Sequence, residues 1–252
     1  MTHVITVVTP VHEPNLTFLS EAYASLLGQE LPDGWTWQWV VQQDGDGGEA
    51  NATLPHDERI SFGSTARPYG PGVARTTALT RAAGELVRNL DADDRLLPGA
   101  LSHDIEILTN NPQIGWTTSR ALDLLPNGDT KRWEHGEPEE GIIERGEVLR
   151  FWREHDWMLP VVPGTLCIRR DLLLALGGWM ALDTSEDTGL IIAANAVSDG
   201  YFISTPSMLY RKHSAQTTAQ DFHNEPEHRH RKRLIIIARA EALSSLRSAR
   251  LN

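Results

Sequence analysis

Asp91-Ala92-Asp93-Asp94 sets three carboxylates within four residues, directly after the apolar stretch Glu85 to Leu90. Acids this close raise one another's proton affinity unless something neutralises them. A hard divalent cation with oxygen ligands does so. On an extended segment, residues two apart face the same side, so Asp91 and Asp93 can address one ion and one ligand together. Mg2+ or Mn2+ suits that donor set better than Zn2+, which prefers histidine and cysteine. The plainer alternative is a helix cap followed by solvated acids.

The surrounding pattern supplies elements to hold such a site. His3 to Thr9 is a short β-branched run of the kind found in buried parallel strands. Asn15 to Ser25 has helical apolar spacing, and Trp35 to Gln43 is a second strand that stops at a glycine-rich run beginning Asp44-Gly45. Arg59 to Phe62 is a weak strand, Val73 to Ala83 a helix, and Glu85 to Leu90 a strand entering the aspartates. A helix follows Pro98 to about Asn110. Alternating strands and helices predict an α/β fold with parallel strands, whose ligands bind beyond the strands' carboxyl ends. Three polar clusters fall there: Thr9 to Glu13, Asp44, and Asp91 to Asp94. The second half is less regular. It offers a polar loop at 126–141, helices at 147–156 and 184–197, short strands at 165–169, 201–204 and 208–211, and a helix from Pro226 with Ile235-Ile236-Ile237 as a core contact.

Composition narrows the function classes. The chain has 252 residues, 40% of them hydrophobic, and a net charge of −11. That length supports a substantial core. The acidic balance, without a long basic stripe, argues against nucleic acid as a partner. The single cysteine, Cys167, permits no intramolecular disulfide, and the N-terminus lacks a signal-peptide pattern. No run is long and apolar enough to span a bilayer. The expected setting is cytoplasmic, with no integral membrane segment.

Several segments, in order, resemble the inverting glycosyltransferases of family 2. They are VVTPVHEPNLTFLSEAYASLLGQ, Asp44 after VVQQ, GPGVARTTALTRAAGELVRNLDADDRLLPGAL, LGGWMALDTSEDTGLIIAA and YRKHSAQTT. The resemblance covers roughly residues 4–217. Three positions depart from the family's usual pattern: Thr76 after Arg75, His12-Glu13 in the first turn, and Thr188 after Glu186-Asp187. The resemblance implies a GT-A fold, a Rossmann-like single domain with a mixed, mostly parallel sheet. It places a GT-A domain at 1–218, with a nucleotide and metal half at 1–120 and an acceptor half at 121–218. Residues 219–252 form a C-terminal helical tail.

The same resemblance implies a nucleotide-sugar donor, a UDP-sugar first, with GDP- and dTDP-sugars as alternatives. Asp44 would bond the nucleobase, bordered by Thr9, Pro10 and His12, with Glu13 reaching base or ribose. Arg75 would approach the nucleotide, and Asp91 and Ala92 would lie against the ribose. Asp93 and Asp91 would hold Mn2+ or Mg2+ against the diphosphate, His213 would be a further metal ligand or a diphosphate contact, and Arg211 and Lys212 would add positive charge there. Asp187 would be the general base for the acceptor hydroxyl, and Glu186 would position the acceptor. Each residue also has a plainer role. Asp44 suits a turn, Arg75 a surface ion pair, and His213 a structural contact. Glu186 and Asp187 suit the dipole of a helix start. Trp179 is the candidate acceptor wall among Trp133, Trp152, Trp157 and Trp179, because aromatic faces suit sugars. The histidines at 223, 228 and 230 have no clean metal spacing and read as a solvated linker. The acceptor is a small molecule or glycan, and a homo-oligomer is compatible with the sequence. Two rival readings are a sugar-phosphate nucleotidyltransferase and a non-catalytic nucleotide-sugar-binding module. The nucleotidyltransferase usually carries a glycine-rich basic loop after its first strand, which TPVHEPN lacks.

Overall fold

A computed structural model describes residues 2–46, 48–133, 136–214, 216 and 225–248, with only the backbone at 13, 14, 49, 247 and 248. Its centre is one mixed sheet. The first four strands are β1 (His3–Val11), β2 (Trp35–Gln43), β3 (Ile60–Ser64) and β4 (Leu86–Asn89). β1 pairs in parallel with β2 on one side and β4 on the other, and β3 extends the sheet beyond β2. The chain therefore leaves β1 in one direction for β2 and later returns to its other side. Strand ends diverge at such a reversal and open a crevice for a ligand.

The remaining strands are β5 (Arg95–Leu96), β6 (Ile114–Leu124), β7 (Thr130–Arg132), β8 (Gly141–Ile143), β9 (Cys167–Arg169) and β10 (Asp199–Arg211). The sheet runs β3-β2-β1-β4-β9-β6-β10-β5, with β7 on β6 and β8 on β10. Its long ladders are parallel, including β6 with β10, and its antiparallel ladders are short. This is the GT-A arrangement. The two strands expected at 201–204 and 208–211 are one strand. Its ladder with β6 shifts register on either side of Pro206, where a bulge accommodates the missing N–H. The polar loop expected at 126–141 contains β7.

Both sheet faces are covered, as the apolar runs of β1 and β2 require. Ile5 and Val7 pack with Trp39, Leu101 and Ile105 beneath α1 (Leu19–Leu27) and α4 (Ala100–Asn110). Val8, Val40 and Val87 pack on the other face with Trp116 and the apolar run of α7 (Glu186–Val197). The elements α2 (Glu49–Thr53), α3 (Pro71–Ala78), α5 (Glu147–Glu154) and α6 (Arg170–Ala175) complete the body. The last helix, α8 (Pro226–Ser248), lies against α7 and buries Ile236 and Ala240 in the same core. Of the expected isoleucine contact, Ile236 is buried, Ile237 packs at the edge and Ile235 is exposed. Among the described residues, no helix is long and apolar enough to cross a membrane.

Candidate active site

The carboxyl ends of β1, β2 and β4 open on a cavity of about 590 Å3. Pro10 and His12 enter it from β1, Asp44 from beyond β2, and Asp91, Ala92 and Asp93 from beyond β4. Arg75 joins from α3, and Glu186 and Asp187 from the start of α7. Of the expected site residues, these nine share one wall system.

Asp44 is fixed by backbone. Its carboxylate accepts the N–H groups of Tyr69 and Gly70, each at 2.8 Å. Gly70 has φ +95°, a conformation that favours glycine. It caps α3, whose first helical residue is Pro71, so Asp44 also locates the helix that carries Arg75.

Arg75 is 4% exposed and sits between two acids. One guanidinium nitrogen meets Glu186 and the other meets Asp91, both at 2.5 Å. Burial works against its charge, and Asp91, Glu186 and Asp187 overcome that effect and raise its pKa. The plainer reading of Arg75, an ion pair with an acid, is thus part of its role. The pair is buried and joins α3, the aspartate turn and α7.

Glu186 is itself buried, and its pKa is pushed up to about 7. Burial and the neighbouring Asp187 raise it, and Arg75 opposes them. Asp187 is half-buried at the cavity, with Oδ1 accepting the Thr188 N–H at 2.6 Å. Burial raises its pKa too, against the pull of Arg75. Ser185, just before this pair, has φ +65°, an uncommon conformation for a residue with a side chain. The sharp turn there aims the start of α7 at the cavity.

The three aspartates divide their labour. Asp91 is the most exposed of them and faces the cavity with Asp93. Burial and then Asp91 raise the pKa of Asp93, while a 2.8 Å bond from His213 Nε2 opposes them. Asp94 is buried and accepts the Arg211 N–H at 2.9 Å, so it is a structural member of the turn.

Two carboxylates at a cavity edge, Asp93 with its pKa raised by burial and by the charge of Asp91, fit a hard divalent cation. Among the described residues, no three His, Cys, Asp or Glu side chains surround one point as a preformed cage. Such ions routinely complete their shells with water and substrate oxygens.

Four expectations are revised by the geometry. Thr9 is fully buried and its hydroxyl accepts the Trp39 indole N–H at 2.8 Å, away from the cavity. His213 does not line the cavity; it backs Asp93 and packs against the Phe18 ring, with centroids 5.3 Å apart. Trp179 is 3% exposed and belongs to the core. The positive φ values of Gly177 and Gly178 turn the chain so that the Trp179 N–H donates to Thr76 at 3.0 Å. Trp133, Trp152 and Trp157 supply the aromatic lining instead. Arg211 and Lys212 are engaged elsewhere: Arg211 with the Asp93 carbonyl and Glu21, Lys212 with Asp123 at 3.2 Å. The side chain of Glu13 and the whole of His223 lie outside the described residues.

One contributor was not foreseen. The first turns of α8 reach the cavity through Arg229, Lys232 and Arg233. His228 on the same turns bonds Asp183 at 2.7 Å, so it belongs to a packed helix and not to a solvated linker. A cluster of basic residues on a helix that also buries an isoleucine was the available signal.

Comparison with known proteins agrees with this architecture. Residues 6–174 match the profile of Glycosyl transferase family 2, and the chain belongs to that family. It is 27% identical over 197 residues to the O-antigen biosynthesis protein RfbC of Myxococcus xanthus, covering 69% of this chain and 13% of that protein. Among solved structures, S. aureus TarS 1–349 in complex with UDP-GlcNAc superposes with a TM-score of 0.68 at 18% identity, covering 87% of this chain and 61% of that one. The same protein in complex with UDP gives 0.65 at 17% identity, covering 85% and 61%. The chain therefore spans less than two thirds of the length of these relatives.

Proposed function

We propose that this protein is a metal-dependent inverting glycosyltransferase that moves a sugar from a nucleotide donor to an acceptor hydroxyl. The observation that carries the reading is that Asp91 and Asp93 share one cavity with Asp187, and that Arg75 ties their two segments together. The TarS structures hold UDP and UDP-GlcNAc, which makes a uridine donor the first to test. Asp44 and the backbone around Pro10 and His12 receive the nucleotide. Asp91 and Asp93, with His213 orienting Asp93, hold Mn2+ or Mg2+. The ion, when bound, offsets negative charge developing on the departing diphosphate.

Asp187 takes the proton of the attacking hydroxyl. Its raised pKa suits a general base, which works best when its pKa lies nearer the working pH. Glu186, bonded to Arg75, holds the start of α7 in place. Attack from the face opposite the leaving group inverts the anomeric carbon. A cytoplasmic setting accords with the single cysteine, which is free and buried.

The test is a thermal-shift series with UDP-, GDP- and dTDP-sugars, each with and without Mn2+ or Mg2+. A ligand that binds only the native state raises the melting temperature by mass action. The reading expects a rise for one nucleotide class that depends on the ion. No rise with any of them refutes it.

A further inference from the structure

The cations at the start of α8 play no part in the chemistry above. In a chain of net charge −11, the side chains of Arg229, Lys232 and Arg233 reverse the sign locally on one cavity wall. Lys232 is accounted for. It is buried, and its ammonium meets Asp183 at 3.3 Å and the Thr184 hydroxyl. The acids nearby are also engaged: Asp183 with His228 and Lys232, and Glu227 with Arg231 at 2.5 Å.

Arg229 and Arg233 differ. Among the described residues, neither forms an ion pair with a carboxylate. The Arg233 guanidinium lies over the Trp157 ring, 4.7 Å from its centroid, a cation–π contact at the cavity. Burial and the charge of Arg229 lower its pKa, and Asp156 offsets them in part. Two guanidinium groups of like charge, both at one cavity, present forked donors that match phosphate and carboxylate oxygens.

Their position assigns them a substrate. Lys232 grips Asp183 and Thr184, which lead through Ser185 into Glu186 and Asp187. The basic turns of α8 thus contact the segment that leads into Asp187 and line the same cavity. An acceptor must lie against Asp187 to lose its proton there. Resting on the function proposed above, we infer that the acceptor carries an anionic group, a phosphate or a carboxylate, which Arg229 and Arg233 receive while its hydroxyl meets Asp187.

The experiment compares glucose, glucose 6-phosphate and glucuronate as probes, by calorimetry on the full chain loaded with UDP and Mn2+. Glucose 6-phosphate or glucuronate should bind at least ~10-fold more tightly than glucose, the scale of charge-assisted hydrogen bonds. Arg229→Gln with Arg233→Gln should abolish that preference and leave UDP affinity within about twofold. Arg229→Lys with Arg233→Lys should restore part of it, because charge returns without the fork. Equal binding of the three probes, or a preference that survives the glutamine pair, overturns the inference. So does a UDP affinity that falls about tenfold in the glutamine pair while uridine affinity holds, since the arginines then serve the donor's diphosphate. Failure of the wild type to bind UDP, GDP or dTDP overturns the transferase reading and this inference with it; where GDP or dTDP binds in place of UDP, the same comparison is made with that nucleotide. Intact UDP binding without an anion preference overturns this inference alone.

Discussion

Replacing Arg75 by methionine keeps most of the side chain's length and removes its charge. In the wild type the guanidinium lies 2.5 Å from Glu186 and 2.5 Å from Asp91. Arg75 is 4% exposed and Glu186 is 5% exposed, so water cannot replace the lost partner of Glu186. Removing one member of a buried pair costs about 3–5 kcal/mol, because the other charge is stranded. Glu186 adds a pH signature. Its carboxyl moves from an ordinary 4.5 to about 7 in the fold. A raised carboxyl pKa favours the folded state while the group is protonated. That contribution is complete below about pH 4.5, declines as pH rises, and is gone above about pH 7. The displacement corresponds to roughly 3 kcal/mol. Without Arg75 the carboxyl rises further, so Arg75→Met should cost about 3–5 kcal/mol at pH 8 and clearly less at pH 6, where Glu186 protonates. Urea denaturation at the two pH values measures this. Arg75→Met combined with Glu186→Gln should recover most of the loss at pH 8. A cost below about 1 kcal/mol at both pH values, or an equal cost at both, would refute the electrostatic account of the clamp.

Other substitutions probe neighbouring parts of the site. Asp187→Asn should leave the UDP-induced thermal shift intact and lower the transfer rate at least ~100-fold, measured by product formation; unchanged turnover removes Asp187 from the chemistry. Asp93→Asn should abolish the dependence of that thermal shift on Mn2+, and a shift that still needs the ion would place its ligands elsewhere. Gly72→Ala would set a Cβ 2.3 Å from the Met180 carbonyl oxygen and 3.0 Å from Glu186 Cβ. It should cost about 1–3 kcal/mol in denaturation, and a neutral outcome would mean that α3 and α7 can separate freely. Ile236→Ala should cost about 2–5 kcal/mol if α8 belongs to the core, whereas a cost near zero would detach that helix.

The strand-end part of this site was legible because each piece of it is local. An apolar strand ending in an acid says where a carboxylate lies relative to a sheet, and Asp44, Asp91 and Asp93 stand at strand ends as their spacing predicts. Thr9 was misread because a strand's last residues alternate in direction. Its neighbour Pro10 faces the cavity, whereas Thr9 turns under the sheet to Trp39. Contacts between distant segments left no mark. Nothing in the spacing of Arg75 and Glu186, 111 residues apart, announces a 2.5 Å pair. Trp179 carries the composition of a sugar-facing aromatic, yet two glycines of positive φ turn it into the core. The long β10 was divided at Pro206 because proline usually ends a strand, and only the bulge against β6 tolerates it. The helical period of α8 was readable, but which of its faces meets the cavity depends on α7.

The three residues of β9 bond to β4 on one side and β6 on the other. A crossover between two related genes near the middle of this chain would join one parent's β4 to the other parent's β9. Both parents would have to agree on the pairing of Leu86 with Arg169 and of Arg88 with Cys167. Exchange of whole halves is therefore constrained by this short seam. Sequence change is open instead to residues that the seam does not touch, the first turns of α8 among them.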